Sequence, residues 1–293
     1  IPVRQIKRLV WVDRGGKPIG ALGLPGAYTR PWLSPDEQRV AVDQRDNQTG
    51  TLDIWLLNAA GGAASRFTFD PGNDLYPLWS PDGSRIVWTS NRAGGFDLYQ
   101  RASSGAGQDE LLLKAGHRII PTDWSPDGRF IVYYEVDPKT RRDVWVLPLA
   151  GDRRPIPFLQ TEANETEARL SPDGRWMTYG SDESGGYQVY VQSFPAGGGK
   201  RQISTKGGVG PHWRCDGKEL FYYAADGKLM AVEVNGGANS GVGFEAAAPQ
   251  ALFEFRSGAG LTYVAPYTVT KDGQRFLLNT ATGTSSDNRP ADL

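Results

Sequence analysis

Four serines are set in the same local context: Ser34-Pro-Asp-Glu37, Ser80-Pro-Asp-Gly83, Ser125-Pro-Asp-Gly128 and Ser171-Pro-Asp-Gly174. A serine can be a nucleophile, but only with an activating base in hydrogen-bond reach, and no such base recurs beside the four. The same residues make good turn chemistry. Proline presets φ for the second position of a type I turn, and aspartate bonds neighbouring backbone N–H groups. Glycine takes the left-handed position that completes a three-residue hairpin. The motif is read as scaffold. Glu37 is the local conflict, because a non-glycine residue held at φ > 0 costs about 1 kcal/mol.

The other reactive residue types are scarce. One cysteine, Cys215, excludes an internal disulfide and a cysteine metal cage, and two histidines, His117 and His212, are too few for a histidine-rich metal centre. No metal and no cofactor is expected. Thirty-two basic against 33 acidic residues leave no basic excess for a nucleic-acid partner. No apolar run is long enough to cross a bilayer, so no membrane contact is expected within this chain.

The elements that must position any site follow from the repeat. The residues before the turns are Leu33, Trp79, Trp124, Leu170, Trp213 and Val269, at steps of 46, 45, 46, 43 and 56 residues. The fifth and sixth turns are degenerate, reading Arg214-Cys-Asp-Gly217 and Thr270-Lys-Asp-Gly273. Each turn precedes an apolar, β-branched or aromatic run such as Ile86-Val-Trp88 or Phe130-Ile-Val-Tyr-Tyr134. A second run follows, such as Asp53-Ile-Trp-Leu-Leu57 or Asp143-Val-Trp-Val-Leu147, then a weaker third such as Glu110-Leu-Leu-Leu113. Short strands between turn signals, four per 45-odd residues, predict an all-β, six-bladed β-propeller of four-stranded antiparallel blades. Residues 1–293 are read as one such domain. The sixth repeat ends soon after Phe276-Leu-Leu278, whereas Leu9-Val-Trp-Val-Asp-Arg-Gly-Gly16 resembles the second run of a blade. The N-terminal segment is therefore expected to complete the last blade and close the ring.

In a propeller the innermost strands line a central channel, and the loops leading into them share one binding face. Two residues before each turn stand Trp32, Leu78, Asp123, Arg169, His212 and Thr268. Trp32, Asp123, Arg169, His212 and Thr268 are the candidate channel-lining ligand residues. Asp123, Arg169 and His212 come from consecutive blades and are expected to converge on one small polar ligand or ion. Arg30, Asp74, Tyr76, Arg118 and Glu167 are candidates on the loop face.

The Trp-Ser-Pro-Asp-Gly turns, each followed by an Asp-hydrophobic-aromatic strand, resemble the TolB-like propeller repeats over nearly the whole chain. Leu9–Lys17, Arg66–Asp74, Phe158–Thr161 and Asp226–Val234 look like the propeller fused to bacterial serine/threonine protein kinases. That resemblance implies an extracytoplasmic or periplasmic sensor domain, anchored through a segment outside this chain, following a cytoplasmic kinase. These residues contain no His-Arg-Asp loop, Asp-Phe-Gly or glycine-rich phosphate loop. The expectation is a monomeric, non-catalytic module that binds a small ligand or a protein. The alternatives are a cell-envelope interaction scaffold of TolB type and a propeller hydrolase or lyase acting on oligosaccharides.

Overall fold

The computed structural model describes residues 6–46, 48–236, 243–257 and 265–281. Their strands form six antiparallel sheets, and no helix occurs among the described residues. Blade one runs outward from the axis as Trp32–Leu33, Arg39–Arg45, Leu52–Asn58 and Ala64–Arg66. Blades two, three, four and five begin at Asp74–Trp79, Arg118–Trp124, Glu165–Leu170 and Gly208–Trp213. In blade five the outermost position is shared by two short strands, Glu245–Ala246 and Gln250–Glu254, both paired with Lys228–Asn235.

Blade six joins the two ends of the chain. Tyr267–Val269 and Arg275–Ala281 are its inner strands, and Lys7–Asp13 and Pro18–Gly26 its outer ones. Lys7–Asp13 pairs with Arg275–Ala281 in continuous register, from Lys7 opposite Ala281 to Asp13 opposite Arg275. The N-terminal segment thus supplies the second run that the sixth repeat lacks, and a sheet edge that would otherwise stand open is covered.

The apolar residues do not collect in one core. Six clusters form, one at each blade–blade interface. Alternate side chains of a strand point to opposite faces, so each strand feeds two clusters. In Arg39–Arg45, Val40 and Val42 face Leu9, Trp11 and Leu277 of blade six, while Ala41 faces Trp79 and Trp88 of blade two. Both faces of every blade are therefore buried.

The Ser-Pro-Asp-Gly turns are closed hydrogen-bond units. In the second repeat Ser80 Oγ donates to Asp82 Oδ1 at 2.5 Å and accepts from the Arg85 N–H at 2.9 Å. Asp82 Oδ1 also accepts from the Ser84 N–H at 3.0 Å. The third and fourth repeats copy this arrangement, and Thr270 with Asp272 does so in the sixth. Each hydroxyl has its donor and acceptor roles engaged locally, which leaves no activated nucleophile.

Glycine is needed here for its backbone. Gly128 has φ 74°, and a Cβ there would meet nothing within 4 Å. Gly128→Ala should therefore cost only the left-handed conformation, about 1 kcal/mol. A thermal melt is expected to show a loss of about 2 °C. Glu37 does adopt φ 59°. Its carboxylate accepts from the Lys271 N–H at 2.5 Å in the turn of blade six, a cross-blade bond that glycine could not make.

Candidate functional site

Each innermost strand runs from the loop face toward its turn, and in blades two to five the chain is distorted halfway along it. The register shifts between Leu75 and Leu78, Pro121 and Asp123, Thr166 and Arg169, and Val209 and His212. Within three of these bulges Tyr76, Glu167 and Gly210 take φ of 57°, 52° and 63°. A bulge re-aims the side chains beside it, and here it turns them toward the axis at one level.

That level is closed. Arg30, just before the inner strand of blade one, is 1% exposed, and Glu167 of blade four is fully buried. Arg30 Nη2 donates to Glu167 Oε1, and Arg30 Nη1 donates to the Pro121 carbonyl of blade three at 3.2 Å. Glu167 Oε2 accepts from the Ala265 N–H at 3.5 Å, at the start of blade six. Blades one and four lie on opposite sides of a six-membered ring, so the ion pair spans the channel and plugs it. Burial and the nearby charge of Arg169 pull Arg30 down to about 10, which leaves it charged at neutral pH.

On the turn side of the plug lie the residues two before each turn. The Arg169 guanidinium stands over the Trp32 ring, 4.1 Å from its centroid, and that of Arg30 meets the same ring at 5.7 Å. Asp123 Oδ2 accepts from the Leu170 N–H at 2.7 Å, bridging blades three and four. Burial pushes Asp123 up to about 6, against the pull of Arg169. Arg169 is itself lowered to about 10 by burial, with Asp123 opposing. His212 lies 3.1 Å through Nδ1 from the Gly210 carbonyl, and its ring packs on Tyr267 at 4.6 Å. Burial, then the charge of Arg169, hold His212 well below its usual range. A neutral ring facing a carbonyl through Nδ1 carries its proton there, so Nε2 is the lone-pair nitrogen. Trp32, Asp123, Arg169 and His212 are thereby brought together, and Thr268 stands buried at the same level of blade six.

The loop-face expectation needs correction for three residues. Arg30 and Glu167 are the channel plug, because the bulge turns Glu167 inward and the long Arg30 side chain reaches across the axis. Asp74 is fully buried inside its own blade, where Arg92 Nη2 lies 3.2 Å from its Oδ1 and also pairs through Nη1 with Asp109 at 2.5 Å. Tyr76 and Arg118 do meet at the loop-side mouth. Arg118 Nη2 donates to Tyr76 Oη at 2.5 Å, and its guanidinium lies over the rings of Tyr76 and Phe96 at 5.5 and 5.0 Å. Phe96 was missed in the sequence. Its signal was position, directly after the Asn91–Gly95 loop. Among the described residues no three His, Cys, Asp or Glu side chains are grouped to hold a metal. Among the described residues there is no helix long and apolar enough to cross a membrane.

Residues 20–149 match the family described as the TolB beta propeller domain. Tricorn protease homolog 1 of Streptomyces coelicolor is 31% identical over 127 residues, which is 43% of this chain and 11% of that protein. The peptidase YuxL of Bacillus subtilis is 29% identical over 110 residues, 36% of this chain and 17% of that protein. The chain therefore matches only a small part of the length of either relative. Among solved structures, a putative TolB from Agrobacterium tumefaciens superimposes with a TM-score of 0.75 at 19% identity, covering 95% of this chain and 99% of that one. The chain is thus a six-bladed β-propeller whose residues 20–149 match the TolB beta propeller domain family and whose fold is similar to that of a putative TolB.

Proposed function

We propose that this propeller is a non-catalytic recognition module whose channel receives a ligand or the tip of a partner. The observation that carries this reading is the cluster on the turn side of the plug. Trp32, Asp123, Arg169 and His212 supply an aromatic wall, a carboxylate, a guanidinium and a neutral imidazole within one narrow space. Such a set recognises by shape and charge. A hydrolytic reading finds less support. The serines of the turns are engaged locally, no Gly-x-Ser-x-Gly elbow occurs in the sequence, and the named peptidases are matched over a small fraction of their length.

The finer reading is an extracytoplasmic sensor or interaction domain of a membrane-anchored bacterial serine/threonine kinase. It is supported by the resemblance of Leu9–Lys17, Arg66–Asp74, Phe158–Thr161 and Asp226–Val234 to that group of propellers. A stand-alone cell-envelope interaction scaffold of TolB type is the alternative, supported by the fold shared with a putative TolB.

The test is a thermal-shift screen with divalent cations, cell-wall fragments, oligosaccharides and short peptides, each also assayed for turnover. A ligand that binds the folded form alone at a hundred times its Kd stabilises by about 2.7 kcal/mol. The expected result is a saturable shift that His212→Ala or Asp123→Ala alters, with the ligand recovered intact. Turnover abolished by either substitution would overturn the reading.

A further inference from the structure

We propose that Arg169 anchors a carboxylate-binding site inside the channel, reached from the face of the Ser-Pro-Asp-Gly turns. This rests on the recognition reading above and gives it a ligand chemistry. Two guanidinium groups meet the Trp32 ring, and they differ in one respect. Arg30 places its terminal nitrogens on Glu167 and the Pro121 carbonyl. Arg169 is 7% exposed, and its Nε and Nη2 are sealed from solvent without any hydrogen-bond partner. A buried donor left unpaired is costly, more so on a charged group. The charge of Asp123 acts on Arg169, yet among the described residues no carboxylate forms an ion pair with it.

The direction of approach follows from the plug. Arg30 and Glu167 are at most 1% exposed and close the channel toward the loop face. Trp32 and Asp123, nearer the turns, are partly exposed. The ligand chemistry follows from the donors. Nε and Nη2 form one side of a planar fork, and a carboxylate supplies the two acceptors that such an edge takes. The Trp32 face gives a flat wall for a small carbon skeleton. His212, protonated on Nδ1, offers Nε2 as an acceptor to a hydroxyl on the same ligand. Because the Arg169 edge is sealed at rest, Trp32 or Asp123 must give way on binding, so the Trp32 indole reports the event directly.

The experiment titrates the purified chain with acetate, succinate and citrate, against chloride and sulfate at matched ionic strength. Thermal shift and the Trp32 indole N–H resonance, assigned with Trp32→Phe, are the readouts. The expected result is a saturable displacement of that resonance by the carboxylates alone. Arg169→Lys, which keeps the charge and loses the fork, should weaken it at least tenfold. Should Arg169→Lys not fold, Asp123→Asn decides, because removing the neighbouring negative charge should tighten carboxylate binding severalfold. Unchanged affinity in the variant that decides would overturn the assignment, as would an equal response to sulfate or an unmoved Trp32 resonance. If Arg118→Gln at the opposite mouth removes binding while Arg169→Lys keeps it, the inference fails and the recognition reading stands. If none of these probes binds and a screened compound is turned over through His212, the reading itself fails.

Discussion

Glu167→Ala is expected to destabilise the propeller by about 3–5 kcal/mol, the cost of breaking a buried ion pair from one side. Both partners are at most 1% exposed, and burial already depresses the Arg30 guanidinium. Without Glu167, Arg30 keeps the Pro121 carbonyl as its hydrogen-bond partner and only the weaker pull of the Asp43 charge. The melting temperature should fall by roughly 10 °C, taking about 2–4 °C per kcal/mol for a chain of this order of size. The Ala265 N–H loses its acceptor too, which loosens blade six against blade four.

The double substitution Arg30→Met, Glu167→Met separates an ion pair from a mere filler. Replacing a buried pair with apolar side chains of similar volume is often neutral or stabilising. The pair of changes should therefore cost far less than the sum of the two singles. A double-mutant cycle by urea unfolding is expected to give a coupling above about 2 kcal/mol, within the range for residues in direct contact. Additive losses would mean that the two side chains do not meet across the axis, and the channel would be open from end to end. Glu167→Gly refines the point. It relieves a left-handed backbone at φ 52°, worth about 1 kcal/mol, yet leaves Arg30 unpaired, so it should still be clearly destabilising.

What the sequence made legible was everything fixed by short-range hydrogen bonding and by period. Ser80, Asp82 and Gly83 close their turn within five residues, so the turn's role could be read from the letters alone. Counting back two residues from each turn found Asp123, Arg169 and His212, because strand geometry carries that register reliably. The conflict at Glu37 was also visible, and the chain resolves it with a bond to the Lys271 N–H, 234 residues away, that no local pattern announces. The plug was invisible for the same kind of reason. Nothing in Tyr76 or Glu167 marks a residue that takes φ > 0, and Glu167 was placed on a loop face when the bulge aims it at the axis. Arg30 was assigned to that face because its reach depends on the width of the channel, a property of the whole ring. Asp74 failed differently: its partner Arg92 sits across a hairpin, and only the folded blade shows it clamped and buried.

The second large effect is on pH dependence, and it centres on Glu165. This carboxyl is 1% exposed at the start of the inner strand of blade four. Its Oε1 accepts from Thr161 Oγ1 at 2.5 Å, while Oε2 is buried without a partner. Burial first, then the carboxylates of Asp143, Glu183 and Asp182, push it up to about 7. A carboxyl whose folded pKa exceeds its unfolded value prefers to be protonated in the folded state. Its contribution is fully present below about pH 4.5 and is lost as pH rises toward 7, after which it stays lost. A shift of this size is worth about 3 kcal/mol. Asp123, raised to about 6, adds a smaller loss of the same sign between about pH 4 and 6. The turn aspartates act in the opposite sense. Asp82, lowered to about 2 by Ser80 and Ser84, stabilises above its unfolded pKa, and that contribution disappears as pH falls through 2. The parent should thus be most stable near pH 4–5 and weaken toward pH 8. Glu165→Gln has nothing to ionise, so it should gain on the parent by up to about 3 kcal/mol at pH 8 and match it near pH 4. Melts of the two chains at half-unit intervals from pH 4 to 8 measure this, and parallel curves would mean that Glu165 ionises freely and its buried oxygen has found solvent.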